Sequence, residues 1–329
     1  MTAALTALGV RRVPVPVPFP EAGGPANVYV IDEDGGGLAL FDAGIGTPEG
    51  ERALLAGFAA MGRSLSEVRR IFISHGHLDH YGYARAAQEA SGAPVFAHVR
   101  DHDKLLWRDR DPARLRFHDS YLQKLGAVAH IGELNARFQE HLERMARPLE
   151  HVEPLQNGAL LKFAKFQAEV LHLPGHTPGL VCLWVESAGV LFSDDHLLEL
   201  VSPNPLIDLE DGLEPRHRAL VEYLKSAAQV RGLPVKLVAP GHSEPFEGHA
   251  EVIDRLLGFY QRRQQKMLEL LRESGPQSAG ALAPRVFPRA KESQQYLILS
   301  EVVGNLEVLE DRGKVVRTEQ AGRYLFEAA

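Results

Sequence analysis

Cysteine is almost absent from this sequence of 329 residues, which contains only Cys182. An intrachain disulfide bond is therefore impossible, and the composition suits a reducing compartment. The apolar pattern around Cys182 favours a small core residue over a nucleophile. The chain also lacks a basic segment at its start and an apolar run long enough to cross a bilayer. From these absences we expect a cytoplasmic protein without a membrane segment.

An excess of basic residues is missing as well. The formal net charge of -7 argues against a general binder of nucleic acid or of anionic membranes. We therefore expect a small-molecule substrate and no membrane partner. A nucleic-acid partner is less favoured but stays open, because a local basic patch is compatible with this net charge, and a homo-oligomer stays open as well. No Gly-x-Ser-x-Gly motif points to a serine nucleophile. The hydrophobic share of 45% and the charged share of 24% are typical of globular proteins, and the length allows one large and one small domain.

Strand and helix patterns alternate along much of the chain, which predicts an α/β layered domain. The Val-Pro repeat at residues 13–20 is expected at a sheet edge, because proline has no amide donor. Further strands are predicted at residues 26–32, 37–42, 71–73, 94–98, 159–163, 167–173, 180–185, 190–193 and 235–239. Helices are predicted at residues 48–61, 81–91, 214–230, 248–273, 279–286 and 295–311.

Two segments depart from this alternation. Residues from about 100 to 147 place apolar side chains at helical spacing, which predicts two or three inserted amphipathic helices that form a candidate lid. The arginines of this insertion either bind an anionic substrate or form a solvated surface. At the other end, two helices followed by a hairpin at residues 314–326 form a winged-helix pattern. We predict a catalytic domain at residues 1–250, and a long helix with a winged-helix-like module at residues 251–329.

The stretch Ile-Phe-Ile-Ser-His-Gly-His-Leu-Asp-His contains four potential metal ligands within six residues: His75, His77, Asp79 and His80. In an extended segment, residues i and i+2 point the same way, so His75 and His77 can share one cation. The turn into the next helix can direct Asp79 and His80 to a second site. Imidazole and carboxylate groups suit zinc, manganese or iron(II). A His-rich surface loop is the alternative, and the buried strand that leads into the cluster argues against it.

Three further strand patterns end in residues of the same kind. Leu-Pro-Gly-His-Thr-Pro contains His176, Leu-Phe-Ser-Asp-Asp-His contains Asp194, Asp195 and His196, and Ala-Pro-Gly-His contains His242. A lone histidine is more often structural than a ligand. Strand ends converge on one edge of a sheet, however, which is where α/β proteins place their sites. We therefore expect these residues near the first cluster.

In their order along the chain, these motifs resemble those of the metallo-β-lactamase-fold hydrolases, a superfamily that includes glyoxalase II. The matching motifs are Asn27-Val28-Tyr29, Phe-Asp-Ala-Gly (41–44), His-Gly-His-Leu-Asp-His (75–80), Pro-Gly-His-Thr (174–177), Phe-Ser-Asp-Asp-His (192–196) and Pro-Gly-His (240–242). They cover about residues 15–250. The resemblance implies an αββα sandwich with a dinuclear metal centre at one edge of the paired sheets, here with a helical insertion and the C-terminal module.

The resemblance assigns six ligands to two sites: His75, His77 and His176 to site one, and Asp79, His80 and His242 to site two. Asp195 should bridge two divalent ions, which are zinc in the first instance and iron or manganese as alternatives. The family usually has glycine where Asp194 stands, so this chain adds an acid beside the bridge. Asp42 resembles the family's outer carboxylate, which orients a ligating imidazole. Capping of the adjacent glycine loop is the alternative role for Asp42.

Such a centre implies hydrolysis by a hydroxide held between two cations, with Asp79 as the catalytic residue that steers it or transfers a proton to the leaving group. We predict a thioester or another small ester as the substrate. A lactonase and an endoribonuclease of the β-lactamase-like type, acting on single-stranded RNA, stay open. Outside enzymes, the alternative is a ligand-sensing DNA-binding regulator. Residues 272–329 contain 8 Lys+Arg and 8 Asp+Glu, whereas a module that binds nucleic-acid phosphates should contain more basic than acidic residues.

Overall fold

The computed structural model of the protein describes residues 2–127, 144–208, 217–291 and 294–329. The strands in these residues are β1 (Val10–Val15), β2 (Ala26–Asp32), β3 (Leu38–Phe41), β4 (Val68–Phe72), β5 (Val95–Ala97), β6 (Glu153–Pro154), β7 (Leu160–Lys162), β8 (Gln167–His172), β9 (Val181–Val185), β10 (Val190–Asp194), β11 (Leu237–Pro240), β12 (Val315–Gln320) and β13 (Arg323–Ala328). The α-helices are α1 (Thr2–Ala7), α2 (Pro48–Ala60), α3 (Leu78–Tyr81), α4 (Ala84–Ser91), α5 (His102–Leu105), α6 (Pro112–Lys124), α7 (Ala219–Arg231), α8 (His249–Ser274), α9 (Ala279–Val286) and α10 (Gln295–Asp311).

Two large sheets face each other. The first has the strand order β1-β2-β3-β4-β5-β6, and the second has the order β11-β10-β9-β8-β7. Strand β1, which contains Pro14, lies at the edge of the first sheet, as the Val-Pro repeat predicts. The pairs β3–β4 and β10–β11 are parallel, so the loops after these strands leave from the same end of their sheet. This shared direction brings the predicted ligand loops together.

Three apolar layers hold the sheets and helices in place. The layer between the sheets contains Phe41, Phe72 and Phe192, all nearly or fully inaccessible to solvent. On the outer face of the first sheet, residues of β2–β5 pack against Leu54 and Phe58 of α2. On the outer face of the second sheet, residues of β8–β11 pack against α7 and the first half of α8. The layers are therefore helix, sheet, sheet and helix, and the predicted αββα sandwich is confirmed.

The predicted helix at residues 81–91 is the main difference from the expected element bounds. It begins earlier and is divided into α3 and α4. A Cβ atom at Gly82 would lie 2.4 Å from the carbonyl oxygen of Leu78 and 2.5 Å from that of Met145. The backbone at Met145 therefore packs closely against Gly82, at the point where α3 ends and before α4 begins. Part of the predicted insertion, residues 128–143, and residues 214–216 of a predicted helix lie outside the described residues.

The C-terminal elements follow the predicted order of helix, helix and hairpin. Helix α8 packs on the sandwich with its first half, and its second half joins a separate apolar cluster with α6, α9, α10 and the hairpin. Helix α10 is buried over eleven consecutive residues, from Leu299 to Leu309. The winged-helix assignment and the domain boundary at residue 250 stay predictions. Among the described residues, no helix is both long and apolar enough to cross a membrane.

Candidate metal centre

All seven side chains that the sequence assigns to the two sites come together. They follow the ends of four strands: His75, His77, Asp79 and His80 come after β4, His176 after β8, Asp195 after β10 and His242 after β11. Strand β4 ends at Phe72, so His75 and His77 lie in the loop that follows it, and the backbone of His77 is extended. Asp79 and His80 belong to helix α3. Their roles as ligands stay predictions, but the geometry favours them.

Site one is formed by three ring nitrogens that point at one another. Nδ1 of His77 lies 3.0 Å from Nε2 of His75 and 2.9 Å from Nε2 of His176. Neutral imidazoles expose a lone pair at one nitrogen, and three lone pairs directed at a common point are the arrangement that a cation requires. The residues His75, His77 and His176 therefore suit a single divalent ion.

Site two lies beside it. Nε2 of His80 is 3.3 Å from Nε2 of His242, and Oδ2 of Asp79 is 3.4 Å from the same nitrogen of His242. Oδ1 of Asp79 lies 3.9 Å from Nε2 of His80. Two imidazoles and one carboxylate thus face each other across a space shielded from solvent, since all three side chains are buried.

Asp195 lies between the two groups. Its Oδ2 is 3.4 Å from Nε2 of His176 in site one and 3.6 Å from Nε2 of His80 in site two. Its Oδ1 is 3.5 Å from Nε2 of His242 and is buried without a hydrogen-bond partner among the described residues. A buried carboxylate oxygen without a partner is costly unless a cation compensates it. The donor set therefore fits two divalent ions that share Asp195.

Four of the five imidazoles are fixed from their outer side. Nδ1 of His75 lies 2.9 Å from Oγ of Ser74, and Nδ1 of His80 lies 2.9 Å from Oδ2 of Asp42. Nδ1 of His176 donates to the carbonyl of Asn204, and Nδ1 of His242 donates to the carbonyl of Gly24. An acceptor at Nδ1 leaves the Nε2 lone pair free for a metal. These four contacts therefore orient Nε2 toward the cluster.

The comparisons with known proteins agree with this geometry. The sequence profile of the "Metallo-beta-lactamase superfamily" matches residues 22–242. The chain belongs to this superfamily. A crystal structure of a metallo-beta-lactamase family protein from Thermus thermophilus is 27% identical and covers 98% of this chain and 99% of its own, with a TM-score of 0.81. The chain is accordingly a metallo-hydrolase of the metallo-beta-lactamase fold, with clusters that fit a dinuclear centre for divalent ions.

Curated relatives carry names of the same class. The probable metallo-hydrolase YqjP of Bacillus subtilis (strain 168) is 28% identical and covers 93% of this chain and 93% of its own. The acyl-coenzyme A thioesterase MBLAC2 of Bos taurus is 26% identical over 74% of this chain and 81% of its own. The hydroxyacylglutathione hydrolase GloC of Haemophilus influenzae is 27% identical over 40% of this chain and 51% of its own.

Asp194, where the resemblance predicts glycine, lies behind the predicted ligands and not between the two sites. Its Oδ1 is 3.1 Å from Nδ1 of His75 and 3.4 Å from Nδ1 of His80. Its φ of 47° lies in the left-handed region, which glycine adopts readily and aspartate tolerates. The additional acid therefore contacts the outer side of two imidazoles. His196, next to Asp195, is buried against Tyr223 and lies outside both groups.

The protonation of these groups is shaped by burial and by the two acids. Burial lowers the pKa of His77 well below its usual value, and the neighbouring His176 and His75 add to this effect. Burial also lowers the pKa of His242, but the carboxylates of Asp195 and Asp79 outweigh it and raise the pKa to about 10. Site two thus favours a positive charge, which either a proton or a metal ion supplies. Metal binding there should release a proton.

The loop of His242 is fixed by the first sheet. The side-chain amide of Asn27 donates to the carbonyl of Pro240, and the hydroxyl of Tyr29 donates to the same carbonyl. At Gly241, a Cβ atom would lie 2.4 Å from Oδ1 of Asp195, so only glycine leaves room for this carboxylate. These contacts explain why Asn27, Tyr29 and Pro-Gly-His occur with the ligands in one set of motifs.

Sequence reasoning missed Asp101, which joins the two halves of site one. Its buried carboxylate accepts the amide of Gly76 (2.8 Å), the hydroxyl of Thr177 (2.7 Å) and the amide of Gly179 (2.9 Å). Burial raises the pKa of Asp101, but the charge of Lys104 and the hydrogen bond from Thr177 outweigh it and lower the pKa. Asp101 follows β5 at the same sheet edge as the ligands, which is the signal that could have revealed it.

The two adjacent acids give the first prediction. Purified wild-type protein should contain about two divalent ions per chain by elemental analysis. Asp195→Asn should lose both, because the carboxylate that reaches imidazoles of both sites loses its charge. Asp194→Gly should keep both, because its φ suits glycine and each imidazole retains Ser74 or Asp42 as a partner. The reverse result would make Asp194 the bridge.

The second prediction concerns Asp101. Asp101→Asn should destabilise the protein by about 1–3 kcal/mol and weaken metal binding, because the new amide cannot accept from backbone donors on both sides. Urea unfolding and metal titration measure the two effects. Asp103→Asn is the matched control, since this half-exposed acid of the same segment pairs with Arg114; its effect should stay within about 0.5 kcal/mol. Unchanged metal binding in Asp101→Asn would contradict the proposed role.

Proposed function

We propose that this metallo-hydrolase cleaves thioesters of small molecules. The observation that carries hydrolysis is the position of Asp195, whose two oxygens reach imidazoles of both sites. Two sites that share a carboxylate suit the activation of water next to a carbonyl group. Support for a thioester comes from the relatives MBLAC2 and GloC, since the names of both denote thioester hydrolases.

Two divalent ions are part of this proposal. One ion would be held by His75, His77 and His176. The other would be held by Asp79, His80 and His242, and Asp195 would contact both. When bound, such ions act as Lewis acids that lower the pKa of water and polarise a substrate carbonyl. Nitrogen and oxygen donors without a thiolate are compatible with zinc, iron and manganese, and we propose zinc first.

The residues of the chain then have separate tasks. The outer acceptors, such as Asp42 and the carbonyl of Asn204, hold the imidazoles in place. We assign proton transfer to Asp79, whose Oδ2 lies beside His242 and whose side chain retains slight exposure to solvent. A thiol with a pKa of about 8.5 leaves as a thiolate, so it needs less help from an acid than an alcohol does. A thioester therefore suits a site in which Asp79 is the one residue assigned to proton transfer.

The alternatives that involve nucleic acid receive less support. Helix α10 would be the recognition helix of a winged-helix module, but its central eleven residues are buried among α7, α8 and α9. The module also lacks a basic excess. Neither an endoribonuclease nor a DNA-binding regulator is favoured by these features. The relatives MBLAC2 and GloC favour a thioester over a lactone, and the decisive assay includes both.

The third prediction is substrate preference. Zinc-loaded protein should hydrolyse an acyl-coenzyme A or an S-acylglutathione with a kcat/KM at least about 100-fold above that for a lactone, a phosphodiester or single-stranded RNA. His77→Ala should lose metal and turnover together, because His77 contributes a nitrogen to site one. A preference for lactone or RNA, or no turnover with both ions bound, would refute the thioester assignment.

The fourth prediction concerns the inserted helices. Arg108 and Arg116 are exposed, whereas Arg114 pairs with Asp103 at 2.7 Å. Replacing all three by glutamine should raise KM for acyl-coenzyme A about tenfold and leave metal content and kcat for a small neutral thioester unchanged, as expected for a uniform binding contact. Arg69→Gln is the control, because Arg69 lies at the start of β4, away from the ligand edge. If the variant and the wild type show the same kinetics with every substrate, the three arginines form only a solvated surface.

A further inference from the structure

Residues 203–207 lie between site one and the C-terminal helices. On one side, Nδ1 of His176 donates to the carbonyl of Asn204 at 3.2 Å. A carbonyl can only accept, so this contact places the proton on Nδ1 and leaves Nε2 directed at His77. The position of the Asn204 backbone therefore decides whether His176 presents the correct nitrogen to an ion.

On the other side, the same five residues are attached to α8 and α10 by four hydrogen bonds. They run from the hydroxyl of Tyr260 to the carbonyl of Pro203 (3.1 Å), from Nδ2 of Asn204 to the carbonyl of Leu297 (3.1 Å), from the amide of Ile207 to Oγ of Ser300 (3.2 Å) and from the hydroxyl of Tyr296 to the carbonyl of Ile207 (2.7 Å). Three of the four partners belong to the first two turns of α10.

Packing reinforces these hydrogen bonds. A Cβ atom at Gly304 would lie 3.1 Å from Cγ of Pro205 and 3.0 Å from Cβ of Leu220, so glycine allows α10 to approach both segments closely. Ile207 is buried in the apolar cluster that α10 shares with α6 and α8. A shift of α10 must therefore move residues 203–207 as well.

We propose that α10 is a positioning element of the metal centre: it holds the carbonyl of Asn204 against His176, so that the affinity of site one for its ion depends on the C-terminal helices. His176 is thus connected to α10 by Asn204, whose backbone contacts the ligand and whose side chain contacts the helix. This role requires no contact between α10 and a substrate. It rests on the metal-dependent function proposed above, but not on the identity of the substrate.

The fifth prediction tests this connection with zinc alone. Metal-free full-length protein is titrated with Zn²⁺ against a chromophoric chelator, which resolves the dissociation constants of the two sites. Asn204→Ala should raise one constant about tenfold and leave the other within about twofold, as expected when the outer partner of one ligand is loosened. Tyr296→Phe, which removes a single hydroxyl, should also raise the zinc dissociation constant of that site. It serves as the test if Asn204→Ala does not fold.

Asn305→Ala is the matched control. Asn305 is a buried asparagine of the same helix, but it bonds to Glu301 and Gln264 and not to residues 203–207. It should lower the Tm and leave both zinc constants unchanged. Wild-type zinc affinity in Asn204→Ala and Tyr296→Phe would overturn the proposal, and so would equal weakening in Asn305→Ala. Because no substrate is present, failure of the thioester assignment would leave this result unaffected.

Discussion

The outer hydrogen bonds of the imidazoles are the contacts on which the rest of the site depends. His75, His80, His176 and His242 each meet an acceptor at Nδ1, and each directs Nε2 inward. Without these acceptors the rings could rotate or exchange tautomers, and the inward nitrogens would no longer face one ion. The acceptors come from Ser74, Asp42, Asn204 and Gly24, which are far apart in sequence. The fold is therefore required to hold not only the ligands but also their partners.

The sandwich meets this requirement by placing short loops at one edge of two facing sheets. Asp42 follows β3, and His75, His77 and His80 follow β4. Asp195 follows β10, and His242 follows β11. The two adjacent acids contact opposite sides of the imidazoles: Asp195 faces the inward nitrogens, whereas Asp194 contacts the outer side of His75 and His80. A left-handed backbone at residue 194 makes this separation possible, because it turns adjacent carboxylates to opposite sides of the rings.

Most of this centre could be predicted from sequence because ligand type and strand-end position are local signals. His75 to His80 form a compact motif, and Pro-Gly-His marks His176 and His242 in the same way. Asp101 was missed because it stands among Asp103, Asp109 and Asp111 in a charged segment, where residue type alone does not distinguish it. Its place after β5, at the edge of the ligands, is the signal that was not used. Asn204 was missed because its contact with His176 uses a backbone carbonyl. Every residue has this group, so the residue type gives no signal.

In the C-terminal helices, the order of the elements and the burial of the residues favour different roles. Two helices and a hairpin are the order of a winged-helix module, and the observed bounds of α9 and α10 agree with it. A helix that reads nucleic acid needs an exposed, basic face. Helix α10 is instead buried from Leu299 to Leu309, and even Glu301 and Glu307 are inaccessible to solvent. A helix buried in this way transmits position to its neighbours, because close-packed interiors do not deform gradually. The neighbours of α10 include residues 203–207, so its rigidity reaches His176 without any contact to a bound molecule.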